Sequence, residues 1–596
     1  SAGSVARTLS RASSNLTEAG EIEVASGSAD FQIVDADGNA IDIESLIQAF
    51  EDSREELDGV QEMLDEANER ERALRQELQQ LREGPQATEL PARLPGFGVG
   101  GLDVLDNILM LTDSGQVLQH MHYPDGIETV YSFFAGRVGK YEEVCFFGLQ
   151  YFLKRYLVGQ VVTAEKINAA DRCFSEHLQC QHGGKDLQSF NRQGWEYILK
   201  EHGGCLPVAI KSVPEGTALH ADNVLFTVEN TDPKCFWLTG YLESLLSQVW
   251  YVTAMCTHTR ELKKVITKYL RETGCQSALD RDDHLCKVHD LGFRTAASVE
   301  TGALGGLGHL VNFRRTEAVS SLILAREFYG SESAGCCLPA SDRNAIATWG
   351  PGHEADAFRS ILAKHPKGCV AFYANEDGIF HNMLETVSGE PLRSCIEERD
   401  GTVIVRPGGD DFPAAIVQVL EALEAKFGAW KTGTGHRLLP TCVRVMQGDG
   451  TDADALERVL SSLKNAGWAA DNLVFSSGGG RRWGLGDQFD STWAFSCSHM
   501  RVAGRDRDLV ADPLPGAPAC QAPRSGRLTL EREGGLWTTV AEGRGDPAKD
   551  QLCEVFRNGR LLIDHDFADV RKRADGLEVV CGSGAATRSK RGRAPG

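Results

Sequence analysis

No stretch of the chain reaches the roughly 18 uninterrupted apolar residues of a membrane helix, so no segment reads as membrane-spanning. It also lacks any Cys-x-x-Cys pair. The 17 cysteines are scattered singly apart from Cys336-Cys337, a pattern of reduced thiols in a cytoplasmic setting that leaves no disulfide framework and no cysteine-built zinc site. His120-Met-His122 has a spacing that metals use, but without nearby cysteine or carboxylate partners it reads as structural. Positive charge is scarce too. With 84 acidic against 62 basic residues and a net charge of -22, the surface is not one selected for general attraction to nucleic acid or anionic membrane. Any phosphate must therefore be held by local arginines and glycines.

What the chain does have is size and apolar content. At 596 residues, 42% of them hydrophobic, it can bury a large core and should hold several folding units, since domains run to roughly 100–200 residues. Residues 1–45 read as a tail, whose first fifteen positions are rich in Ser, Ala and Arg and contain no acid. A heptad register follows. Leu46, Phe50, Ser53, Leu57, Val60, Leu64, Ala67, Glu71, Leu74, Leu78 and Leu81 alternate spacings of four and three, which predicts a coiled-coil helix over 46–83 whose natural role is self-association. Gly84-Pro85 stops it, 84–101 reads as a Pro- and Gly-rich linker, and 576–596 as a basic tail.

The chemistry concentrates between Thr402 and Gly480. Thr402-Val-Ile-Val-Arg-Pro, Cys442-Val-Arg-Val-Met-Gln-Gly-Asp-Gly and Asn472-Leu-Val-Phe-Ser-Ser-Gly-Gly-Gly each run from β-branched residues straight into Arg, Asp or Gly. Helical segments over Ala415–Phe427 and Ala453–Ala466 separate them, which predicts a parallel sheet with crossover helices and chemistry at the carboxyl ends of the strands. Glycines there let backbone N–H groups approach phosphate oxygens. A phosphorylated ligand is expected.

Longer blocks carry a resemblance. Asp106-Asn-Ile-Leu-Met-Leu-Thr-Asp-Ser, Tyr141-Glu-Glu-Val-Cys-Phe-Phe-Gly-Leu-Gln-Tyr, Val213-Pro-Glu-Gly, Asn223-Val-Leu-Phe-Thr-Val-Glu-Asn-Thr-Asp-Pro and Gln447-Gly-Asp-Gly closely resemble the nicotinamide phosphoribosyltransferase family, in order from about Asp106 to Ala574. The resemblance implies an α/β fold, an irregular α/β barrel over 286–485 with an additional α+β domain from 102–285 and 486–575. Barrel strands would begin near Lys287, His309, Cys369, Thr402, Cys442 and Asn472, with Leu206–Val213 and Asn223–Val228 as antiparallel strands of the other domain. It also implies a homodimer, with each site completed by the partner's N-terminal segment and with Arg137 reaching across. The reaction implied joins nicotinamide to phosphoribosyl pyrophosphate with Mg2+, giving nicotinamide mononucleotide in NAD salvage.

The family's phosphate ligands match Arg294, Arg406, Gly448, Gly478 and Gly479, with Gly408 beside them a further substrate-binding candidate; its ribose carboxylate matches Asp449, and its carboxamide acceptor is Glu317. Several positions depart from the pattern. The partner tyrosine that stacks on the pyridine is Gly115, followed by Gln116, and the second stacking aromatic is Leu291. Each stack lost removes on the order of 1 kcal/mol beyond area burial. The phosphorylated histidine is Arg343, which cannot accept a phosphoryl group, so ATP is not expected to act. Arg343 would instead hold pyrophosphate. A phosphate-binding arginine aligns with Asp487, the strand-end aspartate is Asn375, and Pro407-Gly408-Gly409-Asp410 replaces a segment that places a carboxylate beside the sugar. Two alternatives follow from these departures: a pseudoenzyme that keeps the fold, or a nicotinate-type transferase.

Overall fold

The computed structural model describes residues 106–136, 139–179, 190–350, 352–373, 387, 389–390, 392–406, 412–448, 452–477, 493–510 and 524–577. The tail, coiled-coil helix and linker expected over 1–45, 46–83 and 84–101 lie outside them, as does the basic tail beyond Leu577. All described residues belong to one compact unit. In chain order, three strands (β1, Ile127–Gly136; β2, Val208–Ser212; β3, Val224–Asn230) precede six short ones (β4, Val288–Asp290; β5, Arg315–Thr316; β6, Lys367–Tyr373; β7, Asp400–Arg406; β8, Val443–Gln447; β9, Leu473–Ser477). Four more follow: β10, Trp493–Val502; β11, Arg505–Asp508; β12, Cys553–Arg557; and β13, Arg560–Leu561.

The outer strands form one antiparallel sheet in the order β11-β10-β1-β3-β2-β12-β13, so the two ends of the homologous region meet in it. Its core is aromatic. Phe134 stacks between Phe226 and Trp493 at centroid distances of 4.8 and 5.6 Å, and Trp195, Trp237 and Tyr241 meet edge to face nearby.

The six middle strands form an all-parallel sheet in the order β5-β4-β9-β8-β7-β6. Its edges are joined. Cys336 pairs in parallel with Arg315 on β5, and Ala340 with Ala371 on β6, so the segment from Cys336 to Ser341 closes the sheet into an irregular barrel. Alternation along the strands decides what faces where. Ala371, Ile404, Met446 and Val474, with Leu338 from the closing segment, fill the interior. Val403, Val405, Val443, Val445, Leu473 and Phe475 turn outward and meet apolar stripes of helices Phe412–Phe427 and Ala453–Asn465. Truncating a packed interior side chain such as Met446 to Ala costs about 2–5 kcal/mol.

One helix serves both cores. Over Val249–Glu272, Val249, Val252 and Cys256 enter the aromatic core, while Leu262, Ile266, Tyr269 and Leu270 enter the barrel's helical layer. Gly148, at φ +105°, gives this helix room, because a β-carbon there would run into Val252.

One expected element differs. The strand expected from His309 is the last turn of helix Val299–Asn312, and the barrel strand begins at Arg315. A short apolar run such as His309-Leu-Val-Asn does not by itself distinguish a buried helix from a buried strand. At the start of the described residues a 3-10 turn runs over Ile108–Met110, started by the Asn107 side chain accepting the Leu109 N–H. Among the described residues, no helix is long and apolar enough to cross a membrane.

Candidate active site at the carboxyl rim of the barrel

Every strand of a parallel sheet ends on the same side, so the turns after β4, β5, β7 and β8 share one rim. The structure brings four of the expected residues there. After β4, a 3-10 turn at Gly292–Thr295 carries Arg294 into solvent. After β5 comes Glu317, whose Oε1 accepts the Leu338 N–H of the closing segment at 3.3 Å. Arg406 is the last residue of β7, and Gly448 follows β8 directly.

Arg406 lies so close to Gly448 that a β-carbon on that glycine would overlap the guanidinium. A side chain at 448 would push the guanidinium aside, so the bare glycine is what lets the arginine lie against this turn. Burial raises the Glu317 carboxyl above its ordinary range, and the Asp290 charge adds to this. The Leu338 N–H, Arg294 and Arg315 pull the other way. Arg294 makes no hydrogen bond or ion pair with any described residue, and its charge is felt by the Glu317 carboxyl.

Beneath the rim, the barrel interior is dry enough to hold an imidazole neutral. Burial first, then Arg315, His309 and Lys287, lowers His289 to about 3.

The remaining expected residues divide. Arg343 opens the short helix Arg343–Ala347, started by Asp342, whose carboxylate accepts the N–H groups of Asn344 and Ala345. That helix follows the closing segment onto the same rim, but the Arg343 side chain is outside the described set. Arg137, Gly408, Asp449, Gly478, Gly479, Asp487, Asn375 and Asp410 also lie outside the described residues.

Positions where the family pattern is lost are informative. Leu291 is buried, and the exposed aromatic of this turn is Phe293. Gly115 sits in helix Ser114–Gln119 with open space where a side chain would stand, and Gln116 donates to Glu243. Sequence reasoning passed over Asp290 and Thr316, whose roles depend on which loops they join. Spacing alone carries no signal for that.

Away from the rim, His202, Asp232 and Cys235 bring ligand-type atoms within 4.8 Å of one another. Asp232 is already committed there: it accepts from Tyr197 and the Lys234 N–H and pairs with His202. Burial, then Asp232, pushes the Cys235 thiol up to about 12. These groups act as a cap and an ion pair.

An exposed arginine, a half-buried one and a glycine meet at the carboxyl rim of the parallel sheet, and the fold is that of an α/β-barrel protein. Residues 107–210 match the family model for the nicotinamide phosphoribosyltransferase N-terminal domain, and 286–560 that of the nicotinate phosphoribosyltransferase (NAPRTase) family. A nicotinamide phosphoribosyltransferase of Xanthomonas campestris pv. campestris is 35% identical over 485 residues, 80% of this chain and 99% of the relative. One from Acinetobacter baylyi is 25% identical over 76% of this chain and 94% of the relative. The chain belongs to the nicotinamide phosphoribosyltransferase family. Among solved structures, nicotinate-nucleotide pyrophosphorylase from Pyrococcus furiosus aligns over 82% of this chain and all of its own, at 12% identity and TM-score 0.45. Human nicotinic acid phosphoribosyltransferase aligns over 78% and 93%, at 15% identity and TM-score 0.43.

Proposed function

We propose that the chain transfers the phosphoribosyl group of phosphoribosyl pyrophosphate to nicotinamide. The pyridine nitrogen forms a bond to the ribose anomeric carbon, and the bond from that carbon to the pyrophosphate oxygen breaks, its electron pair leaving with pyrophosphate. The observation that carries this reading is the meeting of Arg294, Glu317, Arg406 and Gly448 on one rim, with the Arg406 guanidinium laid against Gly448. Charge-assisted bonds from the two arginines would hold the phosphates and the departing pyrophosphate. Glu317 would accept the carboxamide N–H. The carboxylate of nicotinic acid would meet it as a like charge, which favours nicotinamide over the nicotinate-type alternative.

The described rim does not make a resident Mg2+ site: Asp290 has both carboxylate oxygens committed, to the Gly292 N–H and the Thr316 hydroxyl, and Glu317 already accepts the Leu338 N–H. We read Mg2+ as arriving on the pyrophosphate of the substrate. Arg343 offers no lone pair for a γ-phosphate. Millimolar ATP should therefore leave the rate unchanged, with no radiolabel transferred from [γ-32P]ATP; several-fold stimulation would contradict this assignment.

A homodimer and a cytoplasmic setting belong to the same reading. Phe293, Val299, Val319 and Ile323 are exposed around the turns that carry Arg294 and Glu317, a surface that a second copy would cover. No described cysteine takes part in a disulfide.

Calorimetric titration with phosphoribosyl pyrophosphate and Mg2+, followed by product assays with nicotinamide and with nicotinic acid, tests the proposal. Binding with formation of nicotinamide mononucleotide supports it. Binding without product from either base would support the pseudoenzyme reading instead.

A further inference from the structure

Asp290 is almost fully buried at the end of β4, directly beside Thr316 at the end of β5. Its two carboxylate oxygens serve different loops. Oδ1 accepts the Gly292 N–H at 2.8 Å, in the turn that carries Arg294, and Oδ2 accepts the Thr316 hydroxyl at 2.7 Å, next to Glu317. The Asp290 carbonyl also accepts the Glu317 N–H at 2.9 Å. The Thr316 oxygen in turn accepts the Ala318 N–H at 3.0 Å, and the Leu291 N–H donates to the Ser477 carbonyl at the end of β9.

The glycine-rich helix Val299–Asn312 is shaped around this knot. A β-carbon on Gly306 would strike Ser321 Oγ and Asp290 Oδ2, and one on Gly302 would strike the Phe293 ring. A buried carboxylate that bonds to both loops is expensive to leave half satisfied, so the two turns keep a fixed relation to one another.

We propose that Asp290, through Thr316, is a positioning residue that couples the Arg294 turn to the Glu317 turn, so that occupancy of the phosphate side tightens the pyridine side. Neither residue touches substrate in this assignment. The inference rests on the proposed function for its ligands, but the tether itself is a property of the unliganded chain. By linkage, phosphoribosyl pyrophosphate and nicotinamide should strengthen each other's binding by the same factor.

Thr316→Val removes the hydroxyl that joins the loops while keeping the side-chain shape, and Thr316→Ser restores it. Two measurements on the full chain test the tether. In hydrogen–deuterium exchange without ligand, Thr316→Val should raise exchange at 291–295 and 316–318 together, by roughly tenfold, with β8 and its following turn unchanged and Thr316→Ser close to wild type. In calorimetry, nicotinamide affinity measured with and without saturating pyrophosphate and Mg2+ should show a coupling factor in the wild type that falls toward one in Thr316→Val and returns in Thr316→Ser. Exchange confined to 316–318, or an unchanged coupling factor in Thr316→Val, would overturn the proposal. Wild-type protein that binds neither pyrophosphate nor nicotinamide would overturn the proposed function, and the exchange experiment would still decide whether the tether exists.

Discussion

The two ends of the barrel use positive charge in opposite ways. At the amino end, Lys287 and Arg444 converge on Asp471 at 2.9 and 3.1 Å, and one Arg444 nitrogen also donates to the carbonyls of Leu439, Pro440 and Val443. Arg399 likewise spends its guanidinium on the carbonyls of His365, Lys367 and Gly368. At the carboxyl end, Arg294 is exposed and bonded to no described residue, and Arg406 is held against a glycine backbone. Cations paired inside the protein contribute to the fold, whereas an exposed rim arginine that bonds to no described residue is the one we assign to the ligand. Chemistry type does not separate the two ends, since arginine serves both.

The largest expected effect is at the amino end. Asp471→Ala leaves two buried cations without their carboxylate and should lower unfolding free energy by about 3–5 kcal/mol, measured by urea denaturation. The pH dependence has a fixed sign. Burial alone would raise the Asp471 carboxyl, but Lys287 and Arg444 outweigh it and hold its pKa below the ordinary range. Its stabilisation is therefore present above the unfolded-state pKa, about 3.9, and is lost as pH falls through the lower folded value. The gap between wild type and Asp471→Asn should close under acid conditions.

At the carboxyl end, the expected losses are in binding. Arg294→Ala and Arg406→Ala should each weaken phosphoribosyl pyrophosphate by about 1.5–3 kcal/mol, and Arg294→Ala should leave the unfolding midpoint unmoved; unchanged affinity in calorimetry would put the phosphate site elsewhere. Gly448→Ala is milder, because the guanidinium that a methyl group would strike lies at the end of a flexible side chain. A drop of about tenfold, or 1.4 kcal/mol, is expected in the same titration. Gly115→Tyr sharpens the comparison from outside the barrel: the position has room for a side chain, and a restored stack on the pyridine should lower the KM for nicotinamide by about fivefold, or 1 kcal/mol.

Much of this was legible in the sequence. Val403-Ile-Val-Arg, Val443-Arg-Val-Met-Gln-Gly and Leu473-Val-Phe-Ser-Ser announced strands because β-branched runs end abruptly in Arg, Gly or Ser, and those endings marked the rim. The closing segment was not legible: Cys336-Cys-Leu-Pro-Ala-Ser has no β-branched residue and pairs with each neighbour only briefly, so its placement is set by the two sheet edges it joins. The His309 misreading has the same root, since a glycine-rich helix buried on all sides from Gly302 to Asn312 lacks the polar face that would reveal its period. Arg294, Glu317, Arg406 and Gly448 were found through the family pattern. Asp290 carried no such signal, because what it does depends on two separate loops coming together.

The separation of duties between the two ends is tested most directly by thermal melts of wild type, Arg294→Ala and Asp471→Asn, each with and without phosphoribosyl pyrophosphate and Mg2+. Arg294→Ala, at an exposed position, should melt with the unliganded wild type and lose most of the ligand-induced rise. Asp471→Asn should melt lower without ligand and keep the full rise. A variant pattern with these two behaviours exchanged, or a wild type whose melting point the ligand does not move, would contradict the account.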